Sequence, residues 1–480
     1  MRSHPKCLRW LLCASVSISV SACGDNNSET SNSYYYGLWQ HTGYGDIYRL
    51  NENKAQIYQF NSEGCLIAES MSPETMKQKY FPGATLSSDN MTITSQGAGH
   101  PFTSTYERLF FLPDICQSQN LLDKSSSPVR VYNFFWANMN DYYAFFSERG
   151  VDWNEVYQQA QTRLSDDMTD EALFEVIQTS LSGFSDDHIF LSSGDDSFSP
   201  AAPKGVLQVL IQGFLNQTQF TTVEAYAADA LTKITAIQQQ MMDSGSVHVI
   251  HGATTDPIYG TERMVWGTFN QGSIGYFRPN VMQLELSETD TDSEQLVNHV
   301  VSAMDQVMQD LTDTDAIIID MRFNGGGEDG ASQEIASRFN AAKQQVLGRF
   351  TRTITGEGDL YWIDLPESSR TTAYTKPVMI LTSGSTVSAG ETFMIMMKSL
   401  PQVTIMGEST SGSLSDALHK TLPNGWEMSL SNEVYIDPQY QAYEVTGVPP
   451  DIAIVPFRLS DITENKDTAL SAAIVRAEAM

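Results

Sequence analysis

Apolar and polar positions follow three different rhythms along the chain. Between about Tyr34 and Cys116, short runs such as DIYRL, AQIYQF, MTITS and YERLFFL alternate, with turn-formers between them. A two-residue period broken by turns predicts a small antiparallel β domain, residues 36–120. From about Val129 the spacing becomes helical, as in VYNFFWANMN and TDEALFEVIQTSLSGF, with Thr169 placed to start a helix and Gly183 to stop it. A helical subdomain is expected over 121–199, ending where SDDHIFLSS turns into a strand. A further helix, TVEAYAADALTKITAIQQQMM, falls in a less regular region, 200–272. Beyond about Ser293, helices alternate with near-continuous apolar strands, DAIIID, PVMILTS and QVTIMGE. That alternation predicts an α/β core with a mostly parallel, buried sheet over 273–457, followed by a C-terminal segment, 458–480. LPNGWEMSL adds a hairpin.

The first residues follow another pattern. Arg2, Lys6 and Arg9 precede the short apolar stretch LLCASVSISV, then VSAC, with Gly24 and Asp25 after Cys23. This resembles a bacterial lipoprotein signal spanning residues 1–22, with lipid on Cys23 and a polar tether over 23–35. The other reading is a generic signal peptide that happens to contain a cysteine. A lipid-anchored protein of the bacterial cell envelope is expected, its membrane contact made through the anchor. In an oxidising compartment Cys65 and Cys116 are expected to pair; two buried free thiols are the alternative. The net charge of −30 repels nucleic acid and anionic head groups, so no nucleic-acid partner is expected.

The candidate chemistry lies in two glycine-bracketed loops. In GSTVSAGETF, Ser388 stands between an apolar strand and a helix. A serine there is either a helix cap or a nucleophile whose oxyanion the free N–H groups of the helix start would stabilise. In DMRFNGGG, a glycine triplet follows another strand. It suits a phosphate loop or half of an oxyanion hole. No Lys-Ser/Thr pair follows it, and the pattern Gly325, Gly327, Gly330 lacks the context of a dinucleotide site.

Taken in order, IIIDMRFNGGG, LTSGSTVSAGETF, IMGESTSG, LPNGWEMSLSNEVY and YEVTGVPPDI resemble the tail-specific (C-terminal processing) serine peptidases, as do ERGVDWNEVY and SGFSDDHIFL upstream. The resemblance covers roughly 134–455. It implies a crotonase/ClpP-like spiral core behind a helical subdomain, with Ser388 as nucleophile. One branch of that family pairs serine with a lysine, but the matching position here is Ser413. Lys398, ten residues along the helix, lies about 15 Å from the serine, and Lys420 does not match the motif. The other branch, with the tricorn protease, uses histidine. Its motif resembles Asp186-Asp187-His188 here, and its distant carboxylate resembles Glu444.

The resemblance therefore implies His188 as base, oriented by Asp187 or Glu444, and an oxyanion hole from Ala389 N–H and one triplet N–H, taken as Gly326. Neither cofactor nor metal is expected, and the substrate is a protein or peptide. Two other readings stand beside this one: a non-catalytic binder of peptide or ligand on the same fold, and a serine esterase. No carboxylate-binding loop is evident over 200–272, so a PDZ module is not expected.

Overall fold

The computed structural model describes residues 35–97, 101–243, 246–256, 260–290 and 292–480. The signal sequence and Cys23, with the tether as far as residue 34, lie outside the described residues.

Residues Gly37–Leu109 form a seven-stranded antiparallel sheet, flanked by one helix, Pro73–Tyr80. Its alternating strands bury Trp39, Tyr48, Ile57 and Tyr106 on one face, as the two-residue period requires. On the other face a disulfide joins Cys65 to Cys116 beside Ile47 and Tyr58.

The helices Pro128–Tyr142, Trp153–Gln161 and Asp170–Leu181 follow. Thr169 accepts from Ala172 N–H and so starts the last of them, satisfying one of the donors a helix start leaves free.

The core sheet has seven strands in the order His248–Asp256, Gly260–Phe269, Ile274–Pro279, Ala316–Asp320, Val378–Thr382, Val403–Gly407, Ile452–Ala453. From Ile274 onward every pairing is parallel. Ala316–Asp320 and Val378–Thr382 are buried at every position, because helices cover both faces. Ile317, Ile319 and Ile380 face the helices Ser293–Leu311, Asp329–Ser337 and Ala389–Lys398. Ile318, Met379 and Leu381 face the C-terminal helix Thr468–Glu478.

The structure moves two expected boundaries. The strands His248–Asp256 and Gly260–Phe269 hydrogen-bond into the core sheet, so the core begins well before residue 273. His248–Asp256 is the edge strand, polar because it need bury only one face, whereas Gly260–Phe269 is paired on both sides and buries Arg263–Gly267. The C-terminal helix likewise belongs to the core rather than to a separate segment.

The β domain sits over the predicted hairpin, whose strands are Ala417–Thr421 and Glu427–Ser431. Lys420, buried, donates to Asp46 Oδ1 at 2.7 Å, and Gln59 binds the backbone of His419 and Thr421. Phe102 reaches into the core between the Arg349 guanidinium, at 4.3 Å, and the Tyr435 ring, at 5.5 Å.

Candidate active site

Ser388 lies at the junction between the buried strand Val378–Thr382 and the helix Ala389–Lys398. Its φ of 56° and ψ of −127° put a residue with a Cβ in a region that favours glycine. Its hydroxyl makes no cap hydrogen bond. A capping serine has extended backbone and an engaged Oγ; Ser388 has neither. The sharp turn instead leaves a half-buried hydroxyl above the helix start. Gly326, at φ 85°, packs so closely that a Cβ there would come within 2.7 Å of Ser388 Cβ, so the triplet and the serine share one wall.

The donors for an oxyanion differ in part from expectation. Ala389 N–H holds no hydrogen bond among the described residues. Gly326 N–H, by contrast, donates to Asn324 Oδ1 at 3.0 Å. Within the triplet, Gly327 N–H is the one without a partner among the described residues, because Gly325 N–H is bound to the Asn280 carbonyl.

Ser413 ties the serine to the histidine motif. Its carbonyl accepts Ser388 N–H at 3.0 Å, and its hydroxyl donates to Asp187 Oδ2 at 2.6 Å. Ser411 donates to the same oxygen at 2.7 Å. The side chain at 413, too short to be a base, is thus the strut between the loops.

The turn at Asp186-Asp187-His188 is fixed by Asp186, which is fully buried. Asp186 accepts His188 N–H at 2.9 Å, Tyr143 Oη at 2.9 Å and Ser431 Oγ at 3.1 Å. The His188 ring is free: Nδ1 is buried without a partner, and no hydrogen bond joins the ring to Ser388 among the described residues. Burial lowers the imidazole below its usual value, while Asp186 and Asp187 pull it up.

Glu444 does not touch the ring. Its Oε1 accepts from Arg149 at 2.9 Å, and its Oε2 accepts Leu414 N–H at 2.8 Å and Ser415 N–H at 3.2 Å. Arg149 also lies 3.2 Å from Asp186 Oδ2, so one guanidinium joins the glutamate to the histidine turn. Burial and the nearby Asp186 push the Glu444 carboxyl up to about 8, against the pull of Arg149. Asp187 is committed to Ser411 and Ser413, with Lys204 Nζ 3.8 Å away. Neither candidate carboxylate therefore orients the imidazole directly in this structure.

Sequence reasoning missed Arg149, Lys204 and the role of Glu391. Arg149 lies in ERGVDWNEVY, where only the family resemblance marks it. Lys204 Nζ donates to the Ser411 carbonyl at 2.7 Å, and its own carbonyl accepts from Ser385 Oγ in the serine loop. Glu391, in the first turn of the helix that follows Ser388, is wholly buried and accepts Gly412 and Ser413 N–H at 2.8 Å each. Burial raises its carboxyl to about 7, against three hydrogen bonds that lower it. Among the described residues no group of three or more His, Cys, Asp or Glu is placed to hold a metal.

Residues 273–454 match peptidase family S41, and residues 130–182 match the tricorn protease C1 domain. A candidate peptidase from Parabacteroides merdae ATCC 43184 shares the fold at 24% identity and TM-score 0.57, covering 74% of this chain and 97% of its own. Mature CPAF aligns at 13% identity and TM-score 0.47, over 73% of this chain and 95% of its own. The photosystem II D1 C-terminal processing protease aligns at 15% identity and TM-score 0.40, over 69% and 94%. The C1 match spans the segment that holds Arg149, the S41 match spans the loops that carry Ser388 and the glycine triplet, and residues 273–454 are similar throughout to peptidase family S41.

Proposed function

We propose that this peptidase is of the serine type, with Ser388 as nucleophile and His188 as general base. The observation that carries the reading is the backbone of Ser388: a strained, uncapped serine at a helix start beside an unengaged Ala389 N–H. Strain of this kind costs about 1–3 kcal/mol and persists where the hydroxyl must be presented. Ser388 Oγ would attack the peptide carbonyl as its proton passes to His188, which then returns it to the leaving amine. Ala389 N–H and a triplet N–H would hold the oxyanion. The missing hydrogen bond between His188 and Ser388 does not rule this role out, since catalytic hydrogen bonds are often long until substrate is bound.

Asp186 and Asp187 supply the negative charge that offsets the imidazolium, and Glu444 acts at one remove, through Arg149 and the backbone of Leu414 and Ser415. The lowered ring favours a neutral base at neutral pH.

The VSAC stretch supports anchoring to the bacterial envelope through lipid on Cys23, with exported proteins or peptides as substrates. A fluorophosphonate probe tests the nucleophile. The chain should label, and Ser388→Ala should not; an unlabelled wild-type chain would favour the non-catalytic binder. Cleavage mapping on an unfolded protein separates peptidase from esterase. Cys23→Ser should release the protein from membranes, and a mature N-terminal peptide without a lipid mass would refute the anchor.

A further inference from the structure

Where the last strand of the β domain ends, two adjacent phenyl rings stand in solvent: Phe110 is 73% exposed and Phe111 84%. Single exposed apolar residues are ordinary on a protein surface. Here two stand side by side, and their loop is pinned at both ends. Leu109 pairs with Leu38 in the sheet, and Cys116 is joined to Cys65. Gln117 Nε2 donates to the Leu112 carbonyl at 3.0 Å, and Asn120 Nδ2 to the Asp114 carbonyl at 2.7 Å. Leu109 and Leu112 pack on the cluster around the disulfide, while Phe110 and Phe111 join no apolar cluster among the described residues. A fixed backbone thus keeps both rings in solvent.

The pair lies where the chain enters the fold. Gly37–His41 is the first strand of the domain, and Leu38 stands opposite Leu109, directly before Phe110. Arg108 Nη1 donates to the Tyr36 carbonyl at 3.0 Å, which ties that entry to the same strand. Cys23 is thirteen residues before Tyr36. A stretch of that length spans at most about 45 Å, less than the roughly 60 Å width of a compact chain of this size. A lipid on Cys23 therefore keeps the Tyr36 end of the β domain within reach of the bilayer, and the opposite side of the molecule cannot turn to face it.

Charge favours the same end. Residues 35–120 carry five Lys or Arg against eight Asp or Glu, so the β domain holds little of the chain's net charge of −30. Repulsion from anionic head groups resides mainly in the rest of the chain. With no cationic excess to draw anionic lipid, the attraction left to this surface is apolar. Tyr36, partly buried with Lys77 Nζ 5.6 Å from its ring, adds an aromatic residue and a lysine of the kind that suits the head-group level.

We propose that Phe110 and Phe111 form a membrane-contact surface, inserting into the interface of the bilayer that holds the lipid on Cys23 and fixing the β domain against it. The proposal rests on the lipoprotein reading of Cys23, and under it the lipid supplies attachment while the two rings supply orientation.

The test measures contact without the anchor. The chain from Gly24 onward holds every described residue but neither the apolar signal nor Cys23. It is co-sedimented with phosphatidylcholine vesicles at millimolar lipid. It should bind, and the partition coefficient should fall tenfold or more in Phe110→Ser/Phe111→Ser, with thermal melts confirming that the variant folds. Phe110→Trp/Phe111→Trp should keep the binding, and adding phosphatidylglycerol to the vesicles should not strengthen it. No binding of the parent chain, a partition unchanged in the serine variant, or a parent dimer that the serine variant dissolves into monomers overturns the membrane contact. A wild-type mature N-terminal peptide without a lipid mass, with the phenylalanine-dependent binding intact, overturns the anchor alone.

Discussion

Replacing Ser388 with glycine should make the protein more stable than replacing it with alanine, the reverse of the usual order. At an ordinary position glycine is worse, because the unfolded chain gains about 0.4–1 kcal/mol of freedom. At φ 56° and ψ −127° the Cβ is the liability. Holding a residue with a side chain there costs about 1–3 kcal/mol, which alanine retains and glycine sheds. The difference, strain relieved less entropy lost, comes to about 1 kcal/mol in favour of glycine. Because Ser388 Oγ makes no cap bond, Ser388→Ala itself should lie within about 0.5 kcal/mol of the parent. Urea unfolding of all three chains, followed by tryptophan fluorescence, gives the comparison, with unchanged slopes required so that the midpoints reflect stability. Both variants should be inactive, which separates the cost of strain from the loss of the nucleophile. If Ser388→Gly unfolded at lower urea than Ser388→Ala, the strained geometry would be wrong, and the chief support for a presented nucleophile would go with it.

The acid limb of kcat/KM should fall below pH 6.5, because burial lowers the His188 ring; Asp187→Asn, which removes a charge that raises it, should move the limb further to acid, and a shift to higher pH would count against His188 as base. The Glu391 carboxyl titrates near 4.5 unfolded and at about 7 folded, so its ionisation opposes folding: stability should fall by about 3 kcal/mol as pH rises through that window, and pH-dependent melts of Glu391→Gln should lose this component. Lys420→Ala should cost several kcal/mol in chemical unfolding by leaving Asp46 unpaired in the interface, with Lys420→Met costing no less if the charge is what matters. Reducing the disulfide, which closes a loop across 51 positions, should destabilise the β domain by about 4 kcal/mol, read as a fall in the midpoint with reductant.

Much of the fold was legible because burial imposes a period. DAIIID and PVMILTS read as strands because both of their faces meet helices, and SEQLVNHVVSAMDQVMQDL reads as a helix because Leu296, Val300, Met304, Val307 and Leu311 mark one buried stripe. The motifs around Ser388, His188 and the triplet were legible because a backbone turn leaves a local signature in glycine and small residues. The strands from His248 to Phe269 do not read as core, since their place in the sheet depends on Gly260–Phe269 pairing with Ile274–Pro279, with His248–Asp256 added beyond it. The charges were the least legible part. Nothing in the spacing of Arg149, Asp186 and Glu444 says that one guanidinium joins two carboxylates from distant segments, nor that Lys420 serves Asp46 and not Ser388. Periodicity records which face of an element is dry, and that is a local property. Which charge neutralises which depends on distances between segments hundreds of residues apart, and only the packed chain fixes those.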